Sequence, residues 1–223
     1  VTLLVKQHFE AIGISLFETA NAYYGSDRKI KKLFTISNEH HFRDALKKEG
    51  GIILLCSHFM PLMLGSRALL INNTIANIYR PQNNPLFDQV MVKGYMKNGA
   101  VMIKSTDTRS IIKAINHSLP ILYAPDQDLG INNSVFAPLF GIETATATAT
   151  ARLAKNNNTR VILYSFIRTK NGYEMSFEKP LENYPSDDPI NDAFNTNQIL
   201  VTQINRASEQ YLRILRLFKT YLL

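Results

Sequence analysis

The sequence predicts an α/β fold in which helices sandwich a central, largely parallel sheet. Three observations lead there. Gly51-Ile52-Ile53-Leu54-Leu55-Cys56 is an unbroken apolar run, the pattern of a strand buried on both faces. From residue 51 to 169 such runs alternate with helical periodicity, as strands do when crossover helices join them. The 223 residues are 45% hydrophobic, enough for one sizeable core, and no stretch reads as a linker, so a single domain over 1–223 is expected.

Each element has a local reason. Residues 1–24 form an amphipathic helix, with Val5, Phe9, Ile12, Leu16, Phe17 and Ala20 at three- and four-residue spacing as its apolar stripe. Gly25-Ser26-Asp27 breaks it, and Ser26 or Asp27 can cap a short basic helix through Lys29, Lys31 and Lys32. A helix over 40–48 stops at Gly50-Gly51, before the first core strand at 51–56. Pro61 is placed to be the first residue of a helix over 61–70. A strand at 74–79, a helix at 84–98 with Asp88 near its start, a strand at 100–103, a helix at 109–117 and a strand at 120–123 follow. After a loop at 124–141, the Thr-Ala alternation of 144–150 reads as a small-residue helix over 144–154. Strands at 160–169 and 173–177 make a hairpin about Lys170-Asn171-Gly172, and a long helix covers most of 192–219.

Chemistry concentrates in the loops that follow strands, because these set side chains at the carboxyl edge of the sheet. His58 sits in the first, where its imidazole can take a proton from a substrate or merely close the loop. Arg80 follows Tyr79 and precedes Pro81 and Pro85 with Asn83 and Asn84 between, so its backbone is extended and its guanidinium suits phosphate or a developing oxyanion. Lys104-Ser105-Thr106-Asp107-Thr108-Arg109 offers a cap to the next helix, whose free N–H groups favour anions. Asp126 and Asp128, about Gln127 and bracketed by Pro125 and Gly130, can orient a cation or a hydroxyl, or pair with Arg80. Two carboxylates alone make a thin metal site, and no Cys/His pair has zinc-ligand spacing. The single cysteine, Cys56, lies in an apolar run and excludes an internal disulfide.

A formal charge of +7 favours acidic partners: nucleic acid, anionic lipid or an acidic protein. No basic stripe interleaved with aromatics is present, so nucleic acid is not expected. The basic face Lys29, Lys31, Lys32, Lys47 and Lys48 suits an anionic membrane surface. No run approaches the roughly 20 apolar residues of a spanning helix. The chain starts at Val1 directly in helical periodicity, which reads as a portion whose membrane anchor lies outside it.

The order of the His, Arg-Pro and Pro-Asp loops, each after a strand, resembles the glycerolipid acyltransferase plan. More closely, it is similar to the late acyltransferases of lipid A biosynthesis, of lauroyl or myristoyl type. The matching text is Ser57-His58-Phe59-Met60, Tyr79-Arg80-Pro81-Gln82-Asn83-Asn84-Pro85-Leu86, Ala124-Pro125-Asp126-Gln127-Asp128 and Phe136-Ala137-Pro138-Leu139-Phe140. Tyr184-Pro185, Glu209-Gln210-Tyr211, Arg216 and Phe218-Lys219-Thr220 add a C-terminal signature, and the Met60-Pro61 neighbourhood leans slightly to the myristoyl type. The resemblance implies transfer of a fatty acyl group, of about lauroyl or myristoyl length, from acyl carrier protein to the 3-hydroxyl of an acyl chain on a Kdo-bearing lipid A precursor. It further implies direct transfer in a ternary complex at the cytoplasmic face of a bacterial inner membrane, without metal or redox cofactor. His58 is then the general base, Arg80 places a phosphate or stabilises charge, and Asp126 or Asp128 supports the site. Phe59, Tyr79, Asn83, Asn84, Arg109 and Gln127 are the expected substrate contacts, and Phe59, Met60, Leu62, Met63 and Leu64 line an acyl groove or the core.

Two departures stand out. The family motif places Glu or Asp five positions after the histidine, where this chain has Met63. Methionine cannot hold an imidazole in one tautomer, and by analogy with triads losing that partner costs roughly 10⁴-fold in rate. Met63 thus marks an engineered inactive form, a natural non-catalytic lipid- or carrier-binding relative, or a site whose acid comes from elsewhere, such as Asp128. Near the end, Arg213, Leu215 and Leu217 replace the Trp, His and Arg usual in the family, and the chain has no Trp.

Overall fold

The computed structural model describes residues 2–128, 130–212 and 218–220. Its centre is a seven-stranded sheet in the order β1 (Phe34–Ser37), β9 (Gly172–Pro180), β8 (Arg160–Thr169), β2 (Ile52–Leu55), β5 (Ile121–Tyr123), β3 (Ala76–Tyr79) and β4 (Val101–Lys104). Every neighbouring pair is parallel except β8 with β9.

Helices cover both faces, and β2 shows why its run is apolar throughout. Ile52, Leu54 and Cys56 join one core with Tyr23 of α1 (Thr2–Tyr24), Phe42 of α3 (Glu39–Leu46), Leu64 of α4 (Leu62–Leu70) and Tyr95 of α5 (Pro85–Lys97). Ile53 and Leu55 point the other way, against Ile111 and Ile115 of α6 (Thr108–Asn116) and Leu153 of α7 (Ala149–Ala154). Alternation along a strand sends successive side chains to opposite faces, so two buried faces need an unbroken run. The short α2 (Asp27–Ile30) docks on α4 through the ion pair of Asp27 with the buried Arg67. Ser26 makes no side-chain cap there.

The structure corrects several sequence expectations. The Thr-Ala stretch is not one helix: β6 (Ser134–Leu139) and β7 (Ile142–Ala147) pair as an antiparallel hairpin, and only Ala149–Ala154 is helical. Phe140 and Gly141 turn it with φ of 52° and 78°. Thr and Ala alternate with period two, and β-branched Thr suits a pleated strand better than a helix. The last helix, α8, runs Pro189–Arg206 and stops at Ala207, whose φ of −153° and ψ of 59° are not helical, before a single 3-10 turn at Ser208–Gln210. The altered Arg213, Leu215 and Leu217 lie outside the described residues. β1 is an additional edge strand. Pro61 caps α4 rather than starting it, one residue from the predicted place.

The largest surprise is the register of α1. The helix forms as predicted, but its buried residues are His8, Ala11, Glu18, Ala22 and Tyr23. The stripe picked by periodicity, including Val5, Phe9, Leu16 and Phe17, faces outward.

Candidate functional site

The site is built where β2 stops at the carboxyl edge. The Cys56 N–H still donates to the Tyr123 carbonyl at 3.0 Å, extending the ladder one residue past the strand. Ser57 then turns inward, its hydroxyl donating to Gln203 Oε1 at 2.7 Å, while Gln203 Nε2 donates to the Tyr164 carbonyl at 2.9 Å. This chain of bonds, from the loop to α8 to β8, leaves the next side chain to project from the edge.

That side chain is His58. Its backbone N–H donates to Asp126 Oδ2 at 2.7 Å, and its Nδ1 lies 2.5 Å from Asp126 Oδ1. Asp126 follows the adjacent strand β5, so two neighbouring strand ends bring base and acid together. The Tyr211 hydroxyl donates to Asp126 Oδ2 at 3.0 Å. The Asp126 side chain is 1% exposed and that of His58 27%. Burial pushes the Asp126 carboxyl up, but the His58 charge and three donated hydrogen bonds outweigh it and hold the group below the usual carboxylate range. For His58 burial works downward, yet the Asp126 charge and hydrogen bond leave its pKa raised above 6.5. An ionised carboxylate only accepts, so Nδ1 carries the proton and Nε2 has its lone pair free.

The loop is clamped from outside by the segment after α8. Met60 N–H donates to the Gln210 carbonyl at 2.8 Å, and Leu212 N–H to the His58 carbonyl at 2.9 Å. The rings of Phe59 and Tyr211 meet edge to face at 6.0 Å. Phe59, at 4% exposed, is core rather than an open contact. Sequence reasoning placed Tyr211 only within a C-terminal motif and did not single out Gln203; the buried partners each needs are 85 and 146 residues away, beyond any local pattern. Tyr211→Phe removes one donor from Asp126 without removing the ring, and is expected to lower the turnover rate by about tenfold with fold and KM little changed, checked by steady-state kinetics and circular dichroism.

The other candidates separate. Neither acid pairs with Arg80. Asp126 is taken by His58, and Asp128 accepts from the Gly130 N–H at 2.8 Å and from the Thr220 N–H and hydroxyl at 2.7 and 2.6 Å. Asp128 therefore ties residue 220 to the loop and is not the substitute acid for position 63. Met63 turns away from the imidazole: its Sδ accepts from the Tyr95 hydroxyl at 2.8 Å, and the side chain packs on the α1–α4–α5 core. Burial raises the Tyr95 hydroxyl far above its ordinary value, so it stays a neutral donor. Met60 and Leu64 are core, while Leu62 and Met63 remain half-buried. Tyr79 and Gln127 are half-buried at the edge, and Arg80, Asn83 and Arg109 are exposed along it. Asn84 caps α5 by accepting from the Leu86 N–H, and Asp107 caps α6 by accepting from Ser110. Arg80 leaves β3 two strand spacings from β2, roughly 10 Å along the edge from the His58 loop. Among the described residues, no cluster of three or more His, Cys, Asp or Glu is placed to hold a metal ion.

An imidazole oriented by a buried carboxylate at the edge of an open sheet can deprotonate a hydroxyl. Comparison with known proteins narrows the class. The family described as bacterial lipid A biosynthesis acyltransferase matches residues 2–220. The lipid A biosynthesis lauroyltransferase of Escherichia coli K12 is 33% identical over 97% of this chain and 72% of its own length. The palmitoleoyltransferase of the same organism is 32% identical over 97% and 72%. The myristoyltransferase is 26% identical over 66% and 46%, so overall identity runs against the lean taken from Met60-Pro61. The solved 1-acyl-sn-glycerophosphate acyltransferase of Thermotoga maritima overlays with a TM-score of 0.47 at 10% identity, covering 93% of this chain and 95% of that one. This chain belongs to the bacterial lipid A biosynthesis acyltransferase family.

Proposed function

We propose that His58 and Asp126 catalyse transfer of a fatty acyl group from acyl carrier protein to the 3-hydroxyl of an acyl chain on a Kdo-bearing lipid A precursor, at the cytoplasmic face of an inner membrane. The observation that carries the reading is the 2.5 Å contact between His58 Nδ1 and the buried Asp126, which supplies the carboxylate that Met63 cannot. His58 Nε2 takes the proton of the acceptor hydroxyl as its oxygen attacks the thioester carbon. The C–O bond forms, the C–S bond breaks, and the carrier thiolate leaves with the proton returned by the imidazolium. Asp126 holds the productive tautomer and stabilises the charged ring. Arg80, exposed at the same edge, meets a phosphate of the acceptor or carrier. The net charge of +7 suits both an acidic carrier protein and an anionic membrane surface.

The test is an acyl-transfer assay with acyl carrier protein thioester and a tetra- or penta-acylated precursor. The chain as it stands is expected to turn over, and His58→Ala to abolish transfer. Met63→Glu is expected to leave the rate within a few-fold, because the new carboxyl meets the Tyr95 hydroxyl and Nδ1 is already occupied. A gain of orders of magnitude from Met63→Glu would make position 63 the true partner and leave the natural chain a binding relative.

A further inference from the structure

Resting on that reading of the acceptor as a membrane lipid, the structure assigns the surface that meets the bilayer. We propose that the outward face of α1, continued by the start of α5 and rimmed by the basic residues of α2, lies in the interface of an anionic membrane. α1 is inverted relative to an ordinary surface helix. It buries His8 and Glu18, both hydrogen-bonded, and exposes Phe9 at 67%, Leu16 at 70% and Phe17 at 73%. Single exposed apolar side chains are common on soluble proteins, but a row along a 23-residue helix is not.

The row does not stop with α1. α5 packs beside it on the same side of the sheet, the rings of Tyr23 and Tyr95 meeting at 5.6 Å, and adds the exposed Leu86 and Phe87. Lys93 and Lys97 share that outward surface of α5. At the end of α1, Arg28, Lys29, Lys31 and Lys32 are all exposed, while Asp27 is drawn to the buried Arg67. Apolar side chains flanked by cations fit the acyl-headgroup boundary of an anionic bilayer. A second copy seated on the same face would leave those cations without an anionic partner, which lipid headgroups supply. The surface also reaches the site. α5 starts in the loop after β3, at the carboxyl edge, and His8 of α1 contacts the Glu209 carbonyl, two residues before Tyr211. Docking along it brings the rim that holds His58 to the level of the lipid.

The test is co-sedimentation of the chain with phosphatidylcholine vesicles, with and without phosphatidylglycerol, beside transfer to an acceptor dispersed in detergent. Binding is expected to need the anionic lipid and to weaken with salt. The double variant Phe9→Glu/Phe17→Glu is expected to lower partitioning at least about tenfold, with transfer in detergent unchanged. Ile190→Glu, on the exposed side of α8, is expected to bind as the parent does. Absence of vesicle binding by the parent overturns the proposal, as does a double variant that binds normally. A double variant that only converts a dimer to a monomer also overturns it and makes the face a self-interface. Transfer without docking leaves the reaction standing and removes the surface; docking without transfer does the reverse.

Discussion

Asp126→Asn is expected to lower kcat/KM for acyl transfer by roughly 10⁴-fold, the largest loss of any change that leaves His58 in place. The amide keeps the shape of the carboxylate, and its oxygen can still accept from the His58 N–H. Its NH₂, however, donates towards Nδ1, which must then accept. The ring proton moves to Nε2, the atom that has to receive the proton of the acceptor. A base in the wrong tautomer is no base. The pH profile provides an independent readout. With Asp126 ionised the His58 pKa is raised, so the acid limb of kcat/KM lies above 6.5 and activity falls as pH drops through it. Without the carboxylate, burial alone acts on the ring and lowers its pKa, so the residual activity of Asp126→Asn shows a limb below 6.5. A variant whose limb stays in place, or whose rate falls only a few-fold, would show that the short contact is structural and not catalytic.

Where the sequence was legible, local chemistry and final structure share one cause. The run 51–56 is apolar because both faces of β2 are covered, and the residue after such a strand lands at the carboxyl edge, so His58 could be named from its neighbours alone. Asp126 was visible as an acid in an equivalent loop. Its pairing was not, because β5 becomes the neighbour of β2 only through sheet order, and 68 residues separate the partners. The motif directed attention to position 63 by spacing, whereas the helix turns that side chain to Tyr95. The Thr-Ala stretch misled because small residues fit helices and strands alike, and the hairpin partner decided between them. α1 misled for a physical reason: periodicity marks an apolar stripe but not which side the protein covers, and here it covers the side of His8, Ala11, Glu18, Ala22 and Tyr23.

The charge on that buried side, Glu18, makes the second large effect. Arg168→Met is expected to destabilise the protein by about 3–5 kcal/mol, because it leaves a carboxylate in the interior without its cation. Glu18 is 3% exposed, and its Oε1 accepts from Arg168 Nε at 2.9 Å, Arg168 Nη2 at 2.7 Å and the Tyr173 hydroxyl at 2.8 Å. Its Oε2 is buried without a partner among the described residues, so the ion pair carries nearly all the compensation. Burial, then Glu18, pushes the Tyr173 hydroxyl up to about 12, which keeps that donor protonated but cannot replace a charge. At roughly 2–4 °C per kcal/mol for a chain of this size, the melting temperature falls by about 10 °C. The double variant Glu18→Leu/Arg168→Met, which removes both charges together, recovers much of the loss. The same arginine bonds through its backbone to Gln210, whose carbonyl receives the Met60 N–H beside His58. If the double variant regains the melting temperature but not the turnover, the arginine also positions the catalytic loop; if both return together, its role is confined to holding α1 on the sheet.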